Sequence, residues 1–340
     1  KKYFELSDPI GFTIILATAI AHYVPGEMLW LRDYGGSRSG KTEILRAILK
    51  HPDVTEMETI TPAAIRGGLD TGKKLLNRID GKLVITKDLA SILTTKREAR
   101  NEIFGLLRSV KDGSLTSDFG TEEGYLHQDV SFDWIIATTP VFAQYKQMED
   151  LLGARYIDLN WEASNRMDMT ARAIENNPEL AEIRREVAQA VCKLIDRAKD
   201  RQKLFPVELN EDTKNLIIDW ADLTALLRSP VARDRQHRVK FHPEPEVGTD
   251  IAQGFQRIAK GLMLLSVKHI DQCIARLCRD SIPYSRRQLL HELLRGSVLA
   301  RTGEYDLEDM KLLGICEQTN RGYELKPDIR DRVATLMSEW

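Results

Sequence analysis

Apolar positions recur in two periods along the chain, and the balance between them shifts near Trp161. Before that point short apolar runs alternate with helical stripes. Asp8-Pro9 reads as a helix start and Pro25-Gly26 as its stop, so Ile10 to Val24 forms one buried helix. Met28 to Leu31 is a short apolar strand, and Glu43 to Leu49 has helical spacing. Val54 to Ile60 alternates with the two-residue period of a strand. Thr61-Pro62 then opens a helix, and Gly81 to Asp88 is a buried-strand run. A helix over Arg97 to Val110 places Ile103, Leu106, Leu107 and Val110 on one face. Asp112-Gly113 begins a hairpin up to His127, Val130 to Pro140 reads as another central strand, and Leu151 to Leu159 ends in a short one. Strands alternating with helices imply an α/β fold with a parallel sheet covered on both faces.

Beyond Trp161 the pattern is helical. Leu180, Ile183, Val187, Val191 and Leu194 line one face; Leu216, Ile217, Trp220, Leu223 and Leu227 line a second; Ile251, Phe255, Ile258, Leu262 and Leu265 line a third. These are core stripes. Between the last two lie Arg228, Arg233, Arg235, His237, Arg238 and Lys240, read either as a solvated basic loop or as a contact for nucleic acid or a neighbouring subunit. Towards the end, Ser285 is placed as the cap of a helix that buries Leu289, Leu290, Leu293 and Leu294. A second helix covers Leu307 to Leu313, two short strands flank Asn320-Arg321-Gly322, and Arg286, Arg287, Arg295, Arg301 and Arg321 are read as able to meet phosphates.

The chemistry concentrates in Gly35-Gly36-Ser37-Arg38-Ser39-Gly40-Lys41-Thr42, which satisfies G-x-x-x-x-G-K-[ST] between a strand and a helix. Glycines let successive backbone N–H groups turn inward around phosphate oxygens, and the following helix points its positive end at the same anion. Lys41 is placed to reach the β- and γ-phosphates, and the Thr42 hydroxyl to complete the shell of a Mg²⁺ ion. Asp88 stands at the carboxyl end of the downstream strand run, where a carboxylate polarises water on that Mg²⁺. ATP and Mg²⁺ are the expected ligands.

Composition changes this picture little. A chain of 340 residues with 42% apolar content can bury a real core and hold two or three compact units. A net charge of −2 supplies no global field for nucleic acid, so any such binding must come from local patches. The four cysteines, at 192, 273, 278 and 316, show no C-x-x-C spacing, which speaks for reduced thiols in a cytosolic protein and against zinc. Ile10 to Val24 is too short to span a bilayer comfortably, and Glu5 and Asp8 spoil it as a leader, so no membrane association is expected.

The order of phosphate loop, Asp88, "LLRSVKDGSLTSDFGTEE", "DVSFDWIIATTP" and "LLGARYIDL" resembles the AAA+ ATPase core, in the clade with a hairpin before sensor 1. That clade includes minichromosome-maintenance-type helicases, MoxR-type ATPases and enhancer-binding activators. The nearest resemblance is to AAA+ proteins of phages and integrated elements, which pair this core with a helical lid and a winged helix. The resemblance divides the chain into a core at 1–162, a lid at 163–270 and a winged-helix-like domain at 271–340. It implies sensor 1 at Thr139 and an arginine finger at Arg155 that reaches a neighbouring subunit's nucleotide, hence a homo-oligomeric ring, six-membered in the family. It also implies a pore loop over Arg66 to Lys74, with Arg66, Lys73 and Lys74 gripping DNA phosphates.

Three departures accompany the resemblance. Leu89 stands where the family carries a water-activating glutamate, which leaves a slow reaction or a base from elsewhere such as Glu102. Asp250 occupies the region of the sensor 2 arginine, with Arg257 as the fallback. From Asp112 to Tyr145, which includes the hairpin, there is no Lys or Arg, but there are Asp112, Asp118, Glu122, Glu123, Asp129 and Asp133, where a DNA-tracking hairpin needs cations. The resulting expectation is a Mg-ATP-dependent motor of a phage or mobile element, a helicase or translocase in DNA replication. The alternatives are a MoxR-like protein remodeller and a slow regulatory switch.

Overall fold

In a computed structural model, residues 8–36, 40–66, 75–118, 125–139, 155–162, 166–175, 177–234, 236–300 and 305–338 are described. The chain divides into two compact units, one comprising 1–208 with 257–268 and the other 209–256 with 269–340. The first unit, which holds the sheet, includes 163–208 and 257–268 from the segment assigned to a lid by sequence.

The first unit opens with α1 (Pro9–Ala21), β1 (Trp30–Tyr34), α2 (Lys41–Ile48) and β2 (Val54–Glu56). Next come α3 (Pro62–Arg66), α4 (Leu75–Ile79), β3 (Leu83–Thr86), α5 (Ala90–Leu93) and α6 (Arg97–Lys111). The hairpin β4 (Ser114–Asp118) and β5 (Tyr125–Asp129) precedes β6 (Asp133–Thr138) and β7 (Ile157–Asn160), followed by α7 (Arg166–Glu175) and α8 (Leu180–Leu204). The five-stranded sheet has the order β2-β3-β6-β1-β7, and every pair in it is parallel. Because parallel strands are covered on both faces, β3 and β6 are buried at every position.

The two-residue strand period sorts side chains between the faces. Trp30, Val84, Trp134 and Ile136 point into one core with Ile65, Leu76, Ile103, Phe104 and Leu107 of α3, α4 and α6. Trp30 stacks on Phe132 at 5.6 Å and meets Trp134 edge-on at 5.3 Å. Their indole N–H groups are satisfied, by Phe132 O at 3.1 Å and Thr86 Oγ1 at 3.0 Å. Arg32 clamps β1 to β7 through two bonds to Asp158, at 2.7 and 2.9 Å. Helix α1 begins where the sequence places it, with Asp8 Oδ1 accepting from Gly11 N–H at 2.8 Å, and eight of its apolar or threonine positions from Ile14 to Ala21 are buried. No helix among the described residues is long and apolar enough to cross a membrane.

The second unit contains α9 (Glu211–Arg228), the start of α10 (Thr249–Leu264), α11 (Ile270–Ser281), α12 (Tyr284–Arg295) and α13 (Asp306–Leu312). A hairpin of β8 (Cys316–Thr319) and β9 (Gly322–Leu325) and the helix α14 (Pro327–Ser338) complete it. Val298 pairs with Tyr323 through bonds of 3.0 and 2.8 Å, adding a third short segment to the hairpin. Helix α12 is capped two residues earlier than expected: Pro283 takes the cap position, without a side-chain capping bond, and Ser285 lies inside the first turn. Proline's fixed φ suits that entry, and it holds Ile282 extended. Burial pushes the thiols of Cys273 and Cys278 up to about 12 and that of Cys316 to about 11, far from the thiolate form that reacts or binds metal.

Candidate functional site

Central strand β1 ends at Tyr34 and the glycine-rich stretch follows at once, so the loop sits at the carboxyl edge of the sheet between β6 and β7. Gly35 N–H donates to Thr138 O at 3.2 Å, pinning the loop to the end of β6. A Cβ on Gly35 would stand 2.7 Å from Trp161 Cβ and 2.9 Å from Lys41 Nζ, so no larger residue fits there. Gly40 caps α2 with φ +97°, a left-handed value that favours glycine, and has no side chain to cap the helix's first N–H groups. A Gly40→Ala variant is therefore expected to lose about 1–2 kcal/mol of stability, read as a lowered midpoint in urea unfolding. Ser37, Arg38 and Ser39 lie outside the described residues.

Lys41 is buried and directs Nζ into a ring of carbonyl oxygens: Gly35 O, Gly36 O at 3.4 Å and Thr138 O at 3.3 Å. Burial lowers its pKa, against the opposing fields of Asp33 and Asp88. Asp33 is fully buried in β1, and the sequence reading missed it; an acid inside an apolar strand two residues before the loop was the available signal. Thr42 is half-buried in the first turn of α2. Asp88 lies just past β3, exposed, with Oδ1 accepting from Ala90 N–H at 2.9 Å. Thr139 follows β6 directly and is half-buried. Thus Lys41, Thr42, Asp88 and Thr139 all lie at the carboxyl ends of β1, β3 and β6, which are neighbours in the sheet. A strand order with β6 inserted between β1 and β3, and a phosphate loop leaving β1, decides the architecture.

This is an α/β phosphate-loop fold, with a strand order consistent with the AAA+ core. No family model matches the chain, and no curated protein does. Among solved structures it is similar to NtrX from Brucella abortus in complex with ATP, at 17% identity and a TM-score of 0.32. The alignment covers 99% of this chain and 62% of that one, so the chain spans less than two thirds of that structure. The fold therefore rests on strand order and loop placement, not on that likeness.

Arg257 does not face the loop. It is buried at the opposite edge of the sheet, donating to Asp133 Oδ1 at 2.7 Å and Oδ2 at 2.8 Å and to Ala21 O at 2.7 Å. Asp133 begins β6 and Thr138 ends it, which separates Arg257 from the loop by roughly 17 Å of strand. Asp133 is also no exposed hairpin acid, since it is buried and His22 adds a second partner at 2.8 Å. Leu89 is buried, with its N–H on Ala137 O at 3.1 Å, and Glu102 stands half-buried in α6. Arg155 makes a two-bond ion pair with Asp112, the cap residue just after α6, one of the bonds at 3.2 Å.

The proposed nucleic-acid residues divide likewise. Arg66 ends α3, while Lys73, Lys74, Arg235 and Arg301 lie outside the described residues. In the basic stretch after α9, Arg228 pairs with Glu246 at 3.0 Å, Arg233 with Asp309 at 2.6 Å and Glu308 at 2.9 Å, and Arg238 with Asp234 at 2.9 Å. Arg286 is buried and donates to Leu227 O and Ser229 O at 2.9 and 2.7 Å. Their charge is spent inside the second unit. Arg295 and Arg321 remain exposed.

Proposed function

We propose that the chain is a cytosolic, Mg-ATP-dependent AAA+ ATPase that works as a homo-oligomeric ring, six-membered as the resemblance implies. The observation that carries this reading is the loop at the β1–α2 junction, with Gly40 in the left-handed region and Lys41 Nζ directed into it. Backbone N–H groups at the start of α2 would hold phosphate oxygens, and Lys41 would turn from the loop carbonyls to the terminal phosphates. Thr42 and Asp88 would hold Mg²⁺, which neutralises charge on the phosphates. Thr139 would orient the attacking water or the γ-phosphate. Arg155 would complete a neighbour's site as an arginine finger, after release from Asp112. The buried Leu89 offers no base, so turnover is expected to be slow.

We further propose that hydrolysis drives movement on DNA, as a helicase or translocase of a phage or mobile element, through Arg66, Lys73 and Lys74, with the C-terminal hairpin and its helices acting as a winged helix. The neutralised Arg228, Arg233, Arg238 and Arg286 favour a second reading, a protein-remodelling or regulatory ATPase. A salt titration separates the two. A DNA motor with several phosphate contacts loses affinity steeply between 50 and 200 mM salt, on the order of tenfold or more, whereas a remodeller shows weak, sequence-indifferent binding throughout. DNA-stimulated hydrolysis that survives Lys73→Ala/Lys74→Ala would remove those lysines from the role.

A further inference from the structure

Helix α12 turns outward one stripe that its own packing does not use. Arg286, Leu289, Leu290 and Leu293 are buried. The positions opposite them, Tyr284, Gln288, His291 and Arg295, follow the i, i+4, i+7, i+11 spacing of a single helix face, and all four are exposed, Tyr284 to 70%. The helix's one acid, Glu292, stands off that stripe. Arg287 runs along its edge, with the guanidinium carbon 5.7 Å from the centroid of the Tyr284 ring. Buried Asp280, near the end of α11, accepts from Arg287 Nη1 at 3.4 Å, and also from Arg276 Nε at 2.7 Å and Arg279 Nε at 2.9 Å. One carboxylate thus gathers three guanidinium groups beside the start of α12. At the other end Arg330 of α14 donates to Leu294 O at 2.7 Å, which brings a further cation to the residue before Arg295.

We propose that this stripe is a contact surface for single-stranded DNA, with phosphates beside Arg287, His291 and Arg295 and one base on the ring of Tyr284. It rests on the DNA reading above and gives that reading a surface of its own in the second unit. Charge selects a polyanion, because the outward positions carry cations and no acid. The field along the stripe agrees: burial first, then the charges of Arg295 and Arg287, hold the His291 pKa below its ordinary value. The aromatic selects the kind of polyanion. An exposed ring beside a guanidinium is a stacking platform for an unpaired base, whereas a duplex keeps its bases stacked inside and an acidic peptide has none. From Tyr284 to Arg295 the stripe is roughly 16 Å long, enough to run beside several phosphates of one strand. Arg295 in the last turn also complements the helix dipole, but that role leaves the exposed Tyr284 without a reason.

The test uses the full chain without nucleotide and follows the anisotropy of a labelled oligothymidylate of about 16 nucleotides. Tyr284→Ala should weaken binding by about tenfold and Tyr284→Phe should not, because the ring and not the hydroxyl takes the base. Arg295→Gln should lower the slope of log affinity against log salt by about 0.7, the value of one phosphate contact on a single strand, and Arg295→Lys should restore it. Both side chains are exposed, so the urea midpoint and basal ATP hydrolysis should stay those of the parent. If the parent binds the oligonucleotide and Tyr284→Ala and Arg295→Gln bind it as tightly, with the same salt slope, this inference is overturned and the DNA reading keeps its other residues. A duplex of the same length bound more tightly than the single strand, or polyglutamate competing as well as oligothymidylate, would also overturn it. No binding by the parent at about 50 mM salt would overturn this inference and the DNA motor together, and would leave ATP binding to be judged by Lys41→Ala.

Discussion

A Lys41→Ala variant is expected to bind ATP about a hundredfold more weakly than the parent and to lose hydrolysis, as measured by equilibrium dialysis and phosphate release. The magnitude follows from where the ammonium is. Lys41 is buried, and hydrogen bonds to charged groups there contribute about 1.5–3 kcal/mol each. Burial works against its charge and prevails, with the fields of Asp33 and Asp88 offsetting part of it. The fold should survive the substitution, because Gly35 N–H keeps its bond to Thr138 O and the loop stays attached to β6. An unchanged melting temperature with lost binding is the expected pair of results. Parental affinity in Lys41→Ala would show that this loop does not hold the triphosphate.

What the sequence made legible is what short-range chemistry controls. Asp8 caps α1 as its position before Pro9 predicts, and Thr61 Oγ1 accepts from Ala64 N–H at 3.1 Å at the start of α3, as Thr61-Pro62 predicts. The strand runs around Val84 and Ile135 are legible because strands buried on both faces are apolar throughout. Strand β2 is shorter than the alternation from Val54 to Ile60 suggests. The alternation continues, but the chain leaves the ladder after Met57 N–H reaches Ile85 O at 2.9 Å, and Met57 and Ile60 are buried under the α3 to α6 layer instead. Period-two burial needs only one apolar neighbour, not a paired strand.

Charge was the harder reading. Arg257 and Asp133 are separated by more than a hundred positions, and nothing local marks either as half of a buried pair. Arg286 reads as a phosphate contact because arginines are mostly exposed, yet it packs inward to satisfy the last carbonyls of α9 and the residue after it. Arg233 finds Glu308 and Asp309 across a long loop for the same reason. An arginine's partner is a property of the tertiary fold, so counting basic residues along a segment overstates the charge it offers to DNA.

An Asp133→Ala variant should be destabilised by about 3–5 kcal/mol, the range for breaking one partner of a buried ion pair, as read from urea unfolding. Asp133 holds Arg257 at two oxygens, His22 at 2.8 Å and the Leu29 N–H at 2.6 Å, so its loss strands a guanidinium that is almost wholly buried. The pH dependence has a definite sign. Burial alone would raise the carboxyl's pKa, but the bonds from His22 and Arg257 prevail and hold it below the ordinary range. A group depressed on folding contributes stability that is full above its unfolded value, about 3.9, and is lost as pH falls through the folded one. The parent should therefore lose stability on acidification below about pH 4, and Asp133→Ala should lack that component of the slope. Replacing both partners, as Asp133→Leu/Arg257→Met, should recover much of the loss, since an apolar pair removes the stranded charge. If the double variant were no more stable than Asp133→Ala, the deficit would come from the backbone bonds to Leu29 and Ala21, and the ion pair would not be what ties the second half of α10 to the amino edge of β6.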